Sequence, residues 1–295
     1  LTFVRCLNND EYDIHIFEKK DFFGEVGAAI SIFPNALCVL DELGLLDKVL
    51  KCSGKIKKVF FKNHKGKILS TSEPFYDYPV ICMNRATLHK ILFENIQAKL
   101  YTDYELKAIT NKEDSRVELV FANGEMKSFD AVIAADGLHS AVRKYILDDG
   151  LPIYRGYNIW RGIAKTNFDN GYGSETYGLG QRVGIVPIKE GEYGWWATCN
   201  EDYLQSDSPE PSKDKLERLF KGWHYPIGDL IKNTDSILKT GIYDRIPKKG
   251  WAKGNIVLLG DAAHPTTPNL GQGGCMAIEG DYILAKSINK YGFCK

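Results

Sequence analysis

The chain has 295 residues, of which 44% are hydrophobic and 26% charged, and its 38 basic residues balance 38 acidic ones. This composition excludes disordered, fibrous and collagen-like proteins, and the balanced charge disfavours a protein drawn as a whole to nucleic acid or to an anionic membrane. The longest purely apolar stretches, 131–135 and 256–259, are far shorter than the roughly 20 residues of a transmembrane helix, so no membrane span is predicted.

The cysteine pattern favours a cytoplasmic protein. The sequence begins Leu-Thr-Phe, without an initiator methionine or a secretory signal pattern, so we expect residue 1 to be a cut end. The seven cysteines are scattered and never spaced as C-x-x-C, which encodes neither a disulfide framework nor a zinc site. We therefore expect reduced thiols, no metal site and no nucleic-acid partner.

Hydrophobic periodicity and turn residues predict the secondary structure in chain order. The predicted elements are a helix at 1–7, a strand at 13–18, helices at 34–43 and up to 52, a hairpin at 58–62 and 67–71, a helix at 85–98, strands at 104–109, 117–121 and 131–135, a β-rich stretch at 151–245 with a surface loop at 202–211 and a helix at 212–223, a strand at 255–259, and a last helix after 274. The run 131–135 is apolar throughout, as expected of a strand buried on both faces.

Segments typical of parallel α/β structure bracket segments typical of antiparallel sheet. Residues 151–245 hold four of the five tryptophans on short strand-like runs. A discontinuous protein of two domains is the simplest account of this order.

The first candidate site residue is Glu18, at the end of the first predicted strand. Dinucleotide-binding units place there an acid that binds a ribose hydroxyl, about 20 residues after a glycine-rich turn. Counting back from Glu18 puts that turn just before Leu1. Taken alone, Glu18 is better explained as a solvated strand end than as a ribose ligand.

The second candidate segment runs from Ala134 through Asp136-Gly137 to Arg143. A buried strand that ends in Asp-Gly, with a helix starting near Ser140, puts a carboxylate and free amides at the edge where α/β sheets bind ligands. The alternative is a strand–turn–helix connection that Asp136 itself caps. Ser140 is not in a G-x-S-x-G sequence, which excludes a nucleophile elbow.

The third and most specific segment is 260–274, which follows another apolar run. It contains Asp261, two prolines that stiffen the loop, and glycines at the mouth of a helix, where backbone amides favour anionic or electron-accepting ligands. Asp261 and His264 alone are too few ligands for a metal site.

Together these segments resemble the class A FAD-dependent monooxygenases, the aromatic hydroxylase family, and within it the salicylate hydroxylase and zeaxanthin epoxidase branch. The resemblance covers nearly the whole chain, and its segments are 16–18, 32–36, 83–88, 135–143, 160–162 and 259–279. The sequence departs from the family pattern in three places. The glycine-rich turn and first strand are missing, so we expect an N-terminal truncation. Gly280 stands where the family has Asp after Glu279, and the sequence ends about twenty residues after the last motif.

The resemblance implies a fold and a set of cofactor contacts. The fold is α/β: a discontinuous Rossmann-like FAD-binding domain over 1–57, 82–150 and 243–295, with an inserted antiparallel β-rich substrate domain over 58–81 and 151–242. The implied FAD-binding residues are Glu18 at the adenosine ribose, Arg85 at the flavin, Asp136 and Gly137 at a motif shared with the nicotinamide cofactor, Asp261 at the ribityl or pyrophosphate region, Pro268, and Gly271, Gln272, Gly273 and Gly274 beside the isoalloxazine.

The resemblance also implies a reaction. NAD(P)H, as a transient reductant, reduces FAD, and the reduced flavin and O₂ form a C4a-hydroperoxide that passes one oxygen atom to an aromatic or isoprenoid-like apolar substrate. Candidate walls of an apolar substrate pocket are Trp160, Trp195 and Trp196, with packing in the sheet as the alternative for each. No catalytic base is predicted, and we expect His264 to make hydrogen bonds that hold its loop.

Two competing functions follow from the same residues. A truncated or degenerate homologue without flavin binding would act as a non-enzymatic or partner-binding protein. A flavin-dependent dehydrogenase or oxidase would transfer electrons without placing an oxygen atom in the product.

Overall fold

The computed structural model describes residues 1–7, 11–23, 28–112, 116–166, 171–202 and 212–293. It divides into two compact units, each made of separate stretches of sequence. Unit 1 comprises Leu1–Gly24, Leu92–Ile153 and Tyr243–Lys295, and unit 2 comprises Glu25–Ile91 and Tyr154–Ile242.

The described residues form eight α-helices and eighteen strands. The helices are α1 Thr2–Cys6, α2 Pro34–Glu42, α3 Leu46–Lys51, α4 Arg85–Phe93, α5 Ala141–Leu147, α6 Ser212–Leu219, α7 Ile227–Lys232 and α8 Gly273–Tyr291. The strands are β1 His15–Phe17, β2 Ala29–Ile32, β3 Ser53–Lys55, β4 Lys58–Asn63, β5 Ile68–Ser72, β6 Ile81–Asn84, β7 Lys99–Tyr101, β8 Leu106–Asn111, β9 Val117–Phe121, β10 Met126–Phe129, β11 Val132–Ala134, β12 Ile153–Lys165, β13 Tyr172–Gly178, β14 Gln181–Lys189, β15 Glu192–Asn200, β16 Leu238–Asp244, β17 Ala252–Lys253 and β18 Ile256–Leu258.

Unit 1 contains the parallel strand pairs. β1 pairs with β7, and β11 pairs with β18, both in parallel, while β8, β9 and β10 form an antiparallel sheet. One apolar cluster joins β9, β11, β18 and α5, and another joins α1 to α8 through Phe3, Val4, Ala285 and Ile288. These parallel strands of unit 1 direct their carboxyl ends toward the predicted site residues.

Unit 2 is built on a seven-stranded sheet in the order β16-β12-β15-β14-β13-β4-β5. On one face, Trp160 and Tyr193 pack against α6 and α7 through Leu216 and Ile227. A second cluster joins Val186 and Ile188 of β14 to Ile56, Val80 and Cys82.

The compact units differ from the predicted domains at two segments. Residues 25–57 and 82–91 lie in unit 2 instead of with the α/β segments. The physical reason is the small β2-β6-β3 sheet, whose buried Cys82 shares the apolar cluster of β14. The functional boundaries of the FAD-binding and substrate domains stay a prediction.

The mixed α/β class is confirmed, while the Rossmann-like arrangement and the inserted domain stay predictions. Helix α4 ends at Phe93, short of the predicted 98, because the left-handed Asn95 (φ 55°) cannot continue a right-handed helix. Val132 and Ile133 are only half-buried, contrary to the prediction for 131–135, because β11 lies at the edge of its sheet. Most of the predicted loop, 203–211, lies outside the described residues.

Candidate functional site

Two of the predicted segments meet at one sheet edge in unit 1. The parallel register pairs Ala134 of β11 with Leu258 of β18, and the Leu259 amide donates to the Ala134 carbonyl at 2.9 Å. Asp136 and Asp261 follow these strands directly, and both are exposed. The carboxyl edge of β11 and β18 thus carries both carboxylates, at the position where α/β sheets bind ligands.

The Asp136 loop is organised by helix capping. The Asp136 carboxylate accepts from the Val142 amide at 3.3 Å, and the Ser140 hydroxyl accepts from the Arg143 amide at 2.8 Å. Asp136 therefore does cap the helix that follows it. Gly137 has a φ of +79°, and a Cβ placed there would meet nothing within 4 Å, so its backbone is open to a ligand.

Arg143 ties the Asp136 loop to the Asp261 loop. Its side chain is 1% exposed, and its Nη1 donates to the carbonyls of Ala262 at 2.9 Å and Ala263 at 2.6 Å. Arg143, the last residue of the segment 135–143, is not among the residues predicted from the sequence to have a role in the site. One signal could have identified Arg143. It lies at a buried position of α5, and residues 137–147 contain no acidic side chain that could pair with it.

Asp149 is shared by two arginines. Its carboxylate accepts from Arg143 Nη2 at 2.6 Å and from Arg245 Nη1 at 3.2 Å, and its side chain is 4% exposed. Arg245 also donates to the carbonyls of Leu138 at 3.0 Å and Gly150 at 2.6 Å. Hydrogen bonding from Arg143, and the charges of both arginines, lower the pKa of Asp149. The buried cluster of Arg143, Arg245 and Asp149 therefore carries one more positive than negative charge.

The loop after β18 starts with a tight turn. Gly260–Ala262 is a 3₁₀ turn with a left-handed Gly260, and the His264 amide donates to the Gly260 carbonyl at 2.9 Å. The His264 ring lies against Trp251, with centroids 5.5 Å apart, and its buried Nδ1 has no hydrogen-bond partner within the described residues. The backbone of His264 thus makes a loop-holding bond, whereas its ring Nδ1 makes none.

Helix α8 begins without a side-chain cap. A second 3₁₀ turn, Pro268–Leu270, ends at the left-handed Gly271, and α8 follows with no acidic residue in its first turn. A Cβ at Gly273 would lie 3.4 Å from Thr266 Cγ2. The amides of the first turn have no partner within the helix itself, so this end is suited to an anionic group.

The residues of unit 1 therefore fit an anionic dinucleotide such as FAD. The turn before Asp261 lies against α8, because a Cβ at Gly260 would be 3.5 Å from Ala277 Cβ. Uncapped amides and an open glycine backbone beside the sheet edge are the donors that a pyrophosphate requires.

Glu18 lies at the carboxyl end of β1 in a separate two-stranded sheet. Its amide donates to the Tyr101 carbonyl at 2.9 Å, and its Oε1 accepts from the Lys20 amide at 3.0 Å. Ile16 and Ile133 share an apolar cluster, so β1 and β11 belong to one packed region of unit 1.

Arg85 belongs to unit 2, where it has a cationic neighbour. It is exposed at the start of α4, and its amide donates to the Ala28 carbonyl at 2.8 Å. Burial and the charge of Arg85 lower the pKa of Arg161. Arg161 donates from Nη2 to Thr240 Oγ1 at 2.8 Å, while its buried Nε has no partner in the part of the chain that is described. Arg161 lies in the segment 160–162 that carries the family resemblance, but it is not among the site residues predicted from the sequence.

The three candidate tryptophans do not share one face of the sheet. Trp160 and Trp195 are buried against α6 and α7, and Trp195 Nε1 donates to Thr234 Oγ1 at 2.8 Å. Trp196 lies on the opposite face, beside Ile163 and opposite Arg161 in the β12–β15 ladder. The prediction that all three wall one pocket is therefore corrected: successive residues of a strand point to opposite faces.

Neither a membrane helix nor a metal cluster is found among the described residues. None of their helices has both the length and the apolar character needed to cross a bilayer. Within the same residues, no three His, Cys, Asp or Glu side chains are grouped to hold a metal ion.

Residues 13–291 match the family model described as an FAD binding domain (FAD_binding_3). The chain is 36% identical to aurachin C monooxygenase/isomerase of Stigmatella aurantiaca, over 98% of this chain and 78% of that protein. It is 31% identical to chloroplastic zeaxanthin epoxidase of Spinacia oleracea, over 98% of this chain and 46% of that protein.

A solved structure gives the same fold. Klebsiella pneumoniae HpxO, complexed with FAD and uric acid, superposes with a TM-score of 0.85 at 25% identity, over 98% of this chain and 77% of HpxO. Since the family model covers most of the chain and the relatives named are monooxygenases and epoxidases, this chain belongs to the FAD-binding-domain family of class A FAD-dependent monooxygenases.

Proposed function

We propose that the protein uses NAD(P)H as a transient reductant and inserts one oxygen atom of O₂ into an aromatic or isoprenoid-like apolar substrate. The observation that carries this proposal is the shared carboxyl edge of β11 and β18, with Asp136 and Asp261 on it and the uncapped start of α8 beside it. The family match favours this enzyme over a degenerate homologue without flavin.

Different residues of unit 1 would bind different parts of FAD. Glu18 would bind the adenosine ribose, Asp261 the ribityl or pyrophosphate region, and the amides of Gly271 to Gly274, next to Pro268, would lie beside the ring and stabilise negative charge there. Asp136 and Gly137 would serve both FAD and the passing nicotinamide cofactor. When bound, FAD supplies the redox chemistry that joins NAD(P)H, O₂ and substrate.

Unit 2 would supply the substrate surface. Trp196 and Ile163 provide apolar and aromatic area on the sheet face that also carries Arg161. An apolar wall keeps water from the reacting oxygen, and the two neighbouring cations Arg85 and Arg161 would attract an electron-rich ring or the flavin. Relatives named for aurachin C and zeaxanthin support a substrate of this class.

Labelled oxygen tests the reaction. The chain is loaded with FAD and given NADH or NADPH with a panel of aromatic and isoprenoid-like apolar compounds under ¹⁸O₂. A product that gains one ¹⁸O atom, with NAD(P)H consumed, is expected. A product oxidised without label would mean a dehydrogenase or oxidase, and failure to bind any FAD would mean a degenerate homologue.

A further inference from the structure

One short segment of unit 2 concentrates positive charge. Residues 53–78 hold six lysines and only two acidic residues, in a chain whose total charge is zero. The lysines are Lys55, Lys57, Lys58, Lys62, Lys65 and Lys67. The segment is therefore a local cation on a molecule that is neutral as a whole.

The hairpin of β4 and β5, at the edge of the large sheet, carries Lys58, Lys62, Lys65 and Lys67, while Lys55 and Lys57 precede it. β5 is the outermost strand of the described sheet, and its Ile68 pairs with Lys62 of β4. Asn63 Oδ1 fixes the turn by accepting from the amides of Lys65 at 3.1 Å and Lys67 at 3.0 Å. Lys65 and Lys67 are both exposed. The turn is therefore ordered and presents two cations to solvent.

Large apolar side chains are exposed along the same edge. Ile68 and Leu69 are 51% and 59% exposed, and in the following loop Phe75 is 97% and Tyr76 66% exposed. At about 3.4 Å per residue, the five residues of β5 keep the lysine turn and this aromatic loop within about 20 Å of each other. Four large apolar side chains exposed within nine residues of sequence are typical of an interaction surface.

The aromatic loop is fixed at both ends. Glu73 pairs with Lys58 at 2.7 Å, and the Tyr78 hydroxyl donates to Asp41 Oδ2 at 2.7 Å. A cleft of about 390 Å³ lies between Pro34 and the loop. Phe75 and Tyr76 are thus held out from unit 2 instead of folding back on it.

We propose that this edge, formed by residues 55–72 and the 74–77 loop, docks on an anionic phospholipid bilayer. Lysines near an anionic headgroup layer and aromatic side chains at its boundary with the acyl chains are the contacts that hold peripheral proteins on membranes. The exposed aliphatic pair Ile68 and Leu69 favours hydrocarbon over nucleic acid or an acidic protein. This surface does not depend on the proposed reaction.

Vesicle sedimentation tests the proposal on the whole FAD-loaded chain. Vesicles of phosphatidylcholine alone are compared with vesicles that also contain phosphatidylglycerol. We expect binding to the anionic vesicles, little to the neutral ones, and a loss of binding as salt rises above about 0.1 M.

Charge-matched variants locate the surface. Lys55→Gln, Lys65→Gln and Lys67→Gln together should weaken vesicle binding about a hundredfold, at about fivefold per lysine. Lys90→Gln, Lys165→Gln and Lys232→Gln remove the same charge at exposed positions of unit 2 outside this edge and should change binding little. Phe75→Ser should weaken binding about tenfold, with an unchanged melting temperature because its side chain is exposed.

Four outcomes would overturn the proposal. The first is no binding to anionic vesicles, and the second is an equal loss of vesicle binding in both triple-lysine variants. The third is binding to an RNA homopolymer without binding to vesicles. The fourth is self-association that Phe75→Ser abolishes while vesicle binding is unchanged. The third would assign the edge to nucleic acid and the fourth to a second copy of the chain.

Discussion

Arg143 and Asp149 form a buried ion pair, with Nη2 and Oδ2 2.6 Å apart and side chains 1% and 4% exposed. Arg143 also donates from Nη1 to the carbonyls of Ala262 and Ala263, in the loop that carries Asp261. A buried pair of this kind adds little to stability by itself, but removing one partner leaves an unpaired charge. Its main effect is to fix two loops with respect to each other.

Asp149→Asn should therefore lower both stability and cofactor retention. Two guanidinium groups would lose their counter-charge, which costs about 3 kcal/mol or more of unfolding free energy. Displacement of the Ala262 and Ala263 backbone should raise the FAD dissociation constant at least about tenfold. Denaturant unfolding and flavin fluorescence titration measure the two effects.

The matched control is Asp148→Asn, at an exposed neighbouring carboxylate. It should leave both values nearly unchanged. Since the pKa of Asp149 is lowered in the fold, its contribution is complete above the ordinary aspartate pKa of about 3.9 and is lost as pH falls through the folded value. The stability gap between wild type and Asp149→Asn should shrink below about pH 4, and a constant gap would contradict this account.

Substitution by alanine at two glycines of α8 should change different properties: FAD affinity at Gly273 and stability at Gly280. At Gly273 the new Cβ, 3.4 Å from Thr266, would fill the open helix start, so FAD affinity should fall about tenfold with little change in stability. At Gly280, inside the helix, the nearest atoms are His264 Nε2 at 3.9 Å and Leu259 Cδ1 at 4.0 Å. Gly280→Ala should keep FAD affinity and add about 0.5–1 kcal/mol of stability. Equal FAD loss in both variants would remove Gly273 from the site.

Gly184→Ala should destabilise unit 2. A Cβ at Gly184 would lie 1.9 Å from Cζ2 of Trp196, so the indole has to move, at a cost of about 1–3 kcal/mol or more. Near-ultraviolet circular dichroism should show the altered tryptophan environment. Gly228→Ala, where a Cβ meets nothing within 4 Å, is the control and should not destabilise the protein; because Gly228 lies in α7, a small gain in stability is expected. A melting temperature unchanged by Gly184→Ala would show that Trp196 repacks freely.

The cysteines should differ sharply in reactivity. Burial raises the pKa of Cys82 to about 12, whereas Cys38 and Cys52 are exposed. At about pH 8 only about one Cys82 thiol in ten thousand is the reactive thiolate. Iodoacetamide followed by peptide mass spectrometry should therefore label Cys38 and Cys52 in the native protein, and Cys82 only after unfolding. Rapid native labelling of Cys82 would mean that β6 opens readily.

Much of the local structure can be predicted because its signals lie within a few residues. Pro34 starts α2, Ser140 caps α5, and Asn123-Gly124 forms a turn with Gly124 at φ +87°. The meeting of Asp136 and Asp261 is also predictable, since each follows an apolar strand and parallel strands end at one edge.

The remaining features depend on partners far apart in sequence. Arg143 binds carbonyls more than a hundred residues later, and no local pattern names them. The pKa of Arg161 on β12 is likewise lowered by burial and by the charge of Arg85, which is more than seventy residues earlier, at the start of α4. The opposite facing of Trp195 and Trp196 is itself predictable once both are placed in one strand, because adjacent strand residues point to opposite faces.

The pairing of β11 with β18 bears on how the protein is made. Val132 cannot find its partner Ile256 until the ribosome has synthesised the whole of the intervening chain, while the β12–β15 strands can pair as soon as they emerge. Closing so long a loop is entropically costly and slows folding. Until β18 has been synthesised, the apolar strand β11 has no partner on that edge. We expect chaperones to bind the nascent chain at this stage, because an unpaired apolar edge favours aggregation.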